Sequence, residues 1–260
     1  MSEETAIEAS PVPEISKVTL PELLASLKAG FWDFKSAPAY GLTFSAFYVI
    51  VGIVLSWIGA GTFLWTLAFA LGFPLVAPFA AVGLYEVSRR LEAEEPLVWS
   101  EVLSVVWSER RRQLPWVGVI LAITFLFWSF FAHMTFAMAV GLSSVTTLAQ
   151  SWDYFLTPNG MLLLAIQSVV GAGVALLVFA LTAVSLPLLV EKEIDFVTAM
   201  LISLKTVAKN KGVMGLWALI IAVSLFAAML PMFLGLFVAL PVLGHATWHL
   251  YRRVLYHPVE

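Results

Sequence analysis

The 260-residue chain is 61% hydrophobic and only 12% charged, with a mean hydropathy of +0.94. A soluble domain is about half apolar and a quarter charged, so this chain cannot cover its outside with polar groups and a water-soluble globule is excluded. A net charge of -3 and a pI near 5.8 leave no basic surface to neutralise phosphates, which excludes nucleic acid as a partner. Zero cysteines exclude disulfides, thiolate metal sites and cysteine nucleophiles.

The apolar excess must face lipid, where only helices and closed barrels satisfy their backbone hydrogen bonds. The apolar stretches are long and unbroken and do not alternate, which selects helices. Residues 1–16 are acidic and rich in Pro and Ser, without the basic start or apolar middle of a signal peptide. They are expected to form a disordered cytoplasmic tail ahead of a single six-helix transmembrane domain over 17–260.

Four apolar segments follow, over 42–86, 115–142, 161–190 and 213–251. As single helices the first and last would be roughly 68 and 58 Å long against a hydrocarbon core of ~30 Å, so each must fold back on itself. Gly59-Ala60-Gly61 is the expected turn in the first, and the region from Pro231 to Gly235 in the last. The two middle segments each suit one crossing. The sum is six transmembrane helices.

Lys17, Lys28 and Lys35 precede the first hairpin, and Arg89, Arg90, Arg110, Arg111 and Arg112 follow it. Lys192, Lys205, Lys209 and Lys211 lie between the fourth and fifth helices, and Arg252 and Arg253 follow the sixth. These are all 14 Lys and Arg of the chain, and a six-helix count puts every one on the same side, which the positive-inside rule makes cytoplasmic. The opposite side carries only Asp153. Trp99, Trp107, Trp116, Trp152, Tyr154 and Trp248 fall near the expected membrane boundaries, as an aromatic belt requires.

Three stretches lie over one another without gaps: 27–41 (LKAGFWDFKSAPAYG), 103–117 (LSVVWSERRRQLPWV) and 201–215 (LISLKTVAKNKGVMG). Each begins apolar, turns basic and enters a transmembrane helix. The residues just upstream mix apolar and polar types in the manner of helices lying in the interface. The expected fold is therefore an all-α membrane protein of three hairpins, each preceded by a cytoplasmic interfacial amphipathic helix. The second and sixth helices share a Pro, eleven positions and then Arg-Arg (Pro78 with Arg89-Arg90, Pro241 with Arg252-Arg253), a frame in which Tyr85 matches Trp248 and Glu86 matches His249. All three units point the same way, so their pseudosymmetry axis runs along the membrane normal.

The run GLYEVSRRLEAEEP at 83–96, with AGFWDFKSAP at 29–38, resembles a group of bacterial predicted integral membrane proteins classed as domain of unknown function 2189. The resemblance implies coverage of nearly all of the chain from Leu20 onward and a bacterial inner (plasma) membrane. It assigns no activity and no site residues.

The chemistry-bearing residues are few. His245 and His249, one turn apart on the sixth helix, offer two imidazoles on one face. His133, with Met134 and Met138 on the third helix, would complete a soft-metal set. Glu86, at the cytoplasmic end of the second helix, either enters an internal polar site with His245 and His249 or simply pairs with Arg90 at i,i+4. Pro74, Pro78, Pro187, Pro231 and Pro241 can kink their helices. No Walker loop, dinucleotide fingerprint, HExxH or GxSxG sequence is present. The cluster Glu92, Glu94, Glu95, Glu101 and Glu109 with Arg110 to Arg112 reads as a solvated loop.

No catalytic residue and no cofactor is expected. The expectation is a non-enzymatic scaffold or assembly partner that docks membrane lipids and other membrane proteins. The alternative is a small transporter or ion or metal carrier, with Glu86, His245 and His249 facing one cavity near the second and sixth helices.

Overall fold

The computed structural model describes residues 13–57, 63–140 and 152–256. In chain order they form β1 (Glu14–Ile15), α1 (Leu20–Ser36), α2 (Pro38–Trp57), α3 (Phe63–Glu92), α4 (Trp99–Glu109), α5 (Leu114–Val140), α6 (Trp152–Phe155), α7 (Pro158–Thr182), α8 (Ser185–Glu191), α9 (Phe196–Lys209), α10 (Lys211–Met229), α11 (Leu236–Val254) and β2 (Leu255–Tyr256). The Gly59-Ala60-Gly61 turn lies outside the described residues. The turn between α10 and α11 falls where Pro231 to Gly235 were expected to make it, with Met232 and Phe233 held at positive φ (53° and 65°).

Among the described residues, three helices are long and apolar enough to cross a membrane: Leu114–Ala139, Pro158–Glu191 and Lys211–Met229. The pair Leu20–Ser36 and Pro38–Val54, bent by 99°, makes a fourth if taken as one span. This is fewer than the six crossings expected. Composition explains part of the difference, because α11 carries His245, Thr247 and His249 toward neighbouring helices and ends in Arg252-Arg253, which dilutes its apolar character.

All three of the 27–41, 103–117 and 201–215 stretches are helix, break, helix. In the gap-free register the starts of the long helices nearly coincide: Pro38 and Leu114 fall on the same position and Lys211 one residue early. The breaks have local causes. Pro38 cannot donate its N–H and disfavours helix at the residue before it, while Asn210 closes α9 with its backbone N–H on Thr206 and Val207 carbonyls. At the start of α1 the Glu22 carboxylate accepts hydrogen bonds from the Thr19 backbone N–H at 2.7 Å and hydroxyl at 2.6 Å. Asp195 caps α9 by accepting from the Thr198 N–H at 2.9 Å.

The tertiary arrangement closes into a ring. The hairpin partners α2 and α3, α5 and α7, and α10 and α11 pack on each other. In addition, the short helix leading each unit packs on the second long helix of the unit before it: α4 on α3, α9 on α7 and α8, and α1 on α11, which joins the first unit to the last. The α1–α11 seam is tight, since a Cβ on Gly30 would lie 2.4 Å from the Ala246 backbone nitrogen and 2.7 Å from the Val242 carbonyl oxygen. Beside it β1 and β2 pair antiparallel, Glu14 with Tyr256 and Ile15 with Leu255, and the Ser16 N–H reaches the Val254 carbonyl at 2.7 Å. Of the stretch 1–16 expected as a disordered tail, Glu14, Ile15 and Ser16 join the fold in this way, and residues 1–12 lie outside the described ones.

The main core gathers Trp217, Trp248, Tyr251, Leu114, Leu188 and Met214, all essentially unexposed. Tyr85 and Trp248, matched by the Pro frame, both sit in it.

Candidate functional site

The sequence grouped Glu86, His245 and His249; the fold separates them into two polar constellations. The reason is the helical period. Glu86 and Ser88, two residues apart on α3, point about 200° apart around the helix axis, so Ser88 meets His245 while Glu86 turns toward α4.

The first constellation ties α1, α3 and α11 together. Ser88 Oγ donates to Asp33 Oδ2 at 2.7 Å and lies 2.7 Å from His245 Nδ1. His249 Nε2 stands 2.7 Å from the same Asp33 oxygen. A hydroxyl has one proton. With that proton on Asp33, Ser88 accepts from His245, which places the imidazole proton on Nδ1. His245 is fully buried, and its Nε2 has no partner among the described residues.

The second constellation surrounds a polar cavity of about 600 Å³ at the charged end of the bundle, between α3, α4, α8 and α11. Glu86, Glu92, Glu109 and Glu191 line it together with Arg89, Arg112 and Arg252. Glu86, whose side chain is 2% exposed, takes the Arg90 Nε at 2.6 Å, which is the i,i+4 pair read from the sequence, and also the Arg89 Nε at 2.8 Å. Arg90 continues to Glu101 on α4, and Arg89 to Glu95 at 3.0 Å. Arg112 holds Glu109 at 2.7 Å and also pairs with Glu193. Arg252 spans Glu191 at 2.6 Å and Glu92 at 3.3 Å, while the Tyr251 hydroxyl donates to Glu191. Burial of Glu109 pushes its carboxyl above the ordinary glutamate range, against the opposing pull of Arg112. The cluster expected to be a solvated loop thus holds one nearly inaccessible carboxylate, Glu109, facing the equally buried Glu86 across the cavity.

The two constellations occupy corresponding places in the repeat register. Asp33 coincides with Glu109, and Glu86 with His249. At the α1–α11 seam the acid of the leading helix meets an imidazole. At the α4–α3 seam the corresponding acid meets a second carboxylate across the cavity, and Arg89 and Arg112 supply the positive charge that the imidazole would otherwise bring.

The third metal candidate stands elsewhere. His133 Nδ1 bonds the Ser129 carbonyl one turn back on α5 at 2.7 Å, and Met134 and Met138 are 56% and 78% exposed on that helix. Among the described residues no group of three His, Asp or Glu side chains is placed to hold a metal, so the His133, His245 and His249 set is not assembled. Asp33 and Ser88 were missed as site residues. Asp33 had a usable signal, being the one acid in the middle of an otherwise apolar and basic stretch; Ser88 had none, because a helical Ser ordinarily bonds its own backbone.

Long apolar helices gathered around an ion-paired end define an integral membrane protein. Residues 65–191 match the family model described as predicted integral membrane protein (DUF2189), a family of unknown function. The run at 83–96 lies inside the matched stretch and the run at 29–38 lies before it, so the match is shorter than the near-complete coverage the resemblance implied. No curated protein and no solved structure matches the chain.

Proposed function

We propose that the protein is a non-enzymatic scaffold of the bacterial inner membrane, crossing it six times as three hairpins with both termini in the cytoplasm. Each hairpin is led by a helix lying along the cytoplasmic interface. The exposed apolar stripes of the leading helices support that placement: Leu20, Leu24 and Phe31 on α1, Trp99, Leu103 and Trp107 on α4, Val197, Leu201 and Leu204 on α9. Lys35 lies 4.8 Å over the Trp32 ring and Arg110 3.4 Å over that of Trp107, a pairing that suits the headgroup level of an anionic leaflet.

The observation that carries the scaffold reading is where the polar side chains are used. Asp33–His249 joins α1 to α11, Arg90–Glu101 joins α3 to α4, and Ser203 Oγ on α9 accepts from the Val184 N–H at 3.1 Å before α8. Each link fastens a leading helix to the preceding unit. A carrier needs ionisable groups converging on one path near the membrane middle, and here they are spent on structural seams. One observation favours the carrier: the cavity above Glu86 has the size of a small-ligand site, about 300–1,000 Å³.

Reconstitution into liposomes bearing a pH or cation gradient separates the two. The scaffold gives no flux above empty vesicles and none that changes with Glu86→Gln or His245→Ala, and it migrates in native membranes within a complex larger than its own 28.5 kDa. Flux abolished by either substitution reverses the conclusion.

A further inference from the structure

The ring is not equally closed at its three seams. The first long helix of a unit packs along the second long helix of the unit before it at two of them, α5 on α3 and α2 on α11. At the third, α10 does not lie along α7. Between them is a groove of about 1190 Å³, walled by α7 and α10 and backed by Phe125, Trp128 and Trp217.

The α7 wall carries three polar side chains, Gln167, Ser168 and, at its far end, Thr182, whose hydroxyl already donates to the Val178 carbonyl one turn back. Gln167 begins the tenth position of α7, so it sits ~14 Å from the helix start and near the middle of a ~30 Å hydrocarbon core. Its Nε2 donates to the Ala132 carbonyl at 3.1 Å and approaches Thr135 Oγ1 at 3.3 Å. No donor among the described residues reaches its carbonyl oxygen. Ser168 is exposed in the groove, with no side-chain hydrogen bond among the described residues. The walls beside them are small: Gly171, over which Trp128 packs, with Ala172, Ala175 and Ala222.

We infer that this groove seats one transmembrane helix of a different protein, bearing a hydrogen-bond donor side chain at mid-depth opposite Gln167 and Ser168. The inference rests on the scaffold reading and names where its partner docks. A helix ~10 Å across and ~30 Å long occupies roughly 2400 Å³, so the groove receives about half its thickness, which is a seat and not an enclosing pocket. An acyl chain fills the space but offers no donor to an amide oxygen in hydrocarbon, whereas an interhelical side-chain bond satisfies it. A second copy meeting groove to groove would set one hollow against another. Small residues on both walls permit close helix approach.

The test uses the full chain in native membranes with a benzophenone amino acid at position 175, 222 or, as a lipid-facing control, 127, since Phe127 is 72% exposed and outside the groove. The expected result is an adduct at 175 and 222 but not 127, mapped by peptide mass spectrometry to a transmembrane segment of another protein. The adduct should fall at least tenfold with Ser168→Ala plus Gln167→Leu. Ala175→Phe, which blocks the groove without touching the polar pair, guards against misfolding of the double variant and should abolish it too. Adducts to lipid alone, to a second copy at twice the chain mass, to a soluble segment, or adducts indifferent to these variants overturn the inference. If the chain still migrates in a larger complex while the groove labels only lipid, the groove inference falls and the scaffold reading stands; gradient-driven flux brings down the scaffold reading itself.

Discussion

Asp33 Oδ2 receives two partners, Ser88 Oγ and His249 Nε2, each at 2.7 Å. Removing Ser88 Oγ leaves the buried His245 Nδ1 unpaired, and an unsatisfied buried group costs about 1–3 kcal/mol. Ser88→Ala should therefore lower the melting temperature of the detergent-solubilised protein. Asp33→Asn should do so as well, and the double variant should be less harmful than the two effects added, with a coupling of about 0.5–3 kcal/mol. Strict additivity would mean that the two side chains do not share a network. Glu109 behaves in the opposite sense. Its folded carboxyl is raised by burial, so the folded state binds the proton more tightly than the unfolded one. The stability this contributes is present below the ordinary value of 4.5 and is lost as pH rises through the raised one. Glu109→Gln, a permanent stand-in for the protonated form, should raise the melting temperature at neutral pH and lose that advantage below pH 4.5; Arg112 keeps Glu193 as its partner. An equal effect at both pH values would show that packing, not ionisation, sets the difference.

At the level of elements, the α1–α11 seam depends on the absence of a side chain at Gly30. The atoms a Cβ would meet are the backbone of Ala246 and Val242, which cannot rotate away as a side chain tip can. Gly30→Ala should cost at least the ~1–3 kcal/mol of an overpacked core and should release α1, with β1 beside it, to protease before the rest of the chain opens. Gly215→Ala on α10 is the matched control, because nothing lies within 4 Å of a Cβ there; it should be neutral or stabilising by about 0.5–1 kcal/mol. A Gly30→Ala protein as stable as the control would remove the argument for a tight seam.

For the whole molecule, the proposed six crossings make a direct prediction. The chain has no native cysteine, so single cysteines at Ser16, Ser108, Ser151 and Pro258 can be probed on intact cells with an impermeant thiol reagent. Only position 151 should label. Reaction at 108 or 258 would require a different number of crossings. The pairing of β1 with β2 already holds the two ends of the described chain together, so residues 16 and 258 should always report the same side.

Hydropathy and the distribution of Lys and Arg by themselves determined the membrane class, the four apolar segments and the helix, break, helix pattern of 27–41, 103–117 and 201–215. These are local properties: burial in lipid depends on composition along the chain, and Pro38 and Asn210 end or begin helices through their own backbone groups. The pairing of Glu86 with Arg90 was legible for the same reason, since i,i+4 neighbours meet on any helix. The sequence also placed Glu86 and His249 at corresponding positions, but correspondence in a repeat puts residues at equivalent seams, not at one site. Only the tertiary structure decided that α1 closes the ring on α11, bringing Asp33 to a histidine 216 positions away, that Glu109 is buried and not solvated, and that one seam stays open at Gln167. Those outcomes turn on which helix faces meet. In a chain whose helices are apolar on nearly every side, periodicity does not mark the inward face; close packing at glycines such as Gly30 and a few buried polar bonds select it.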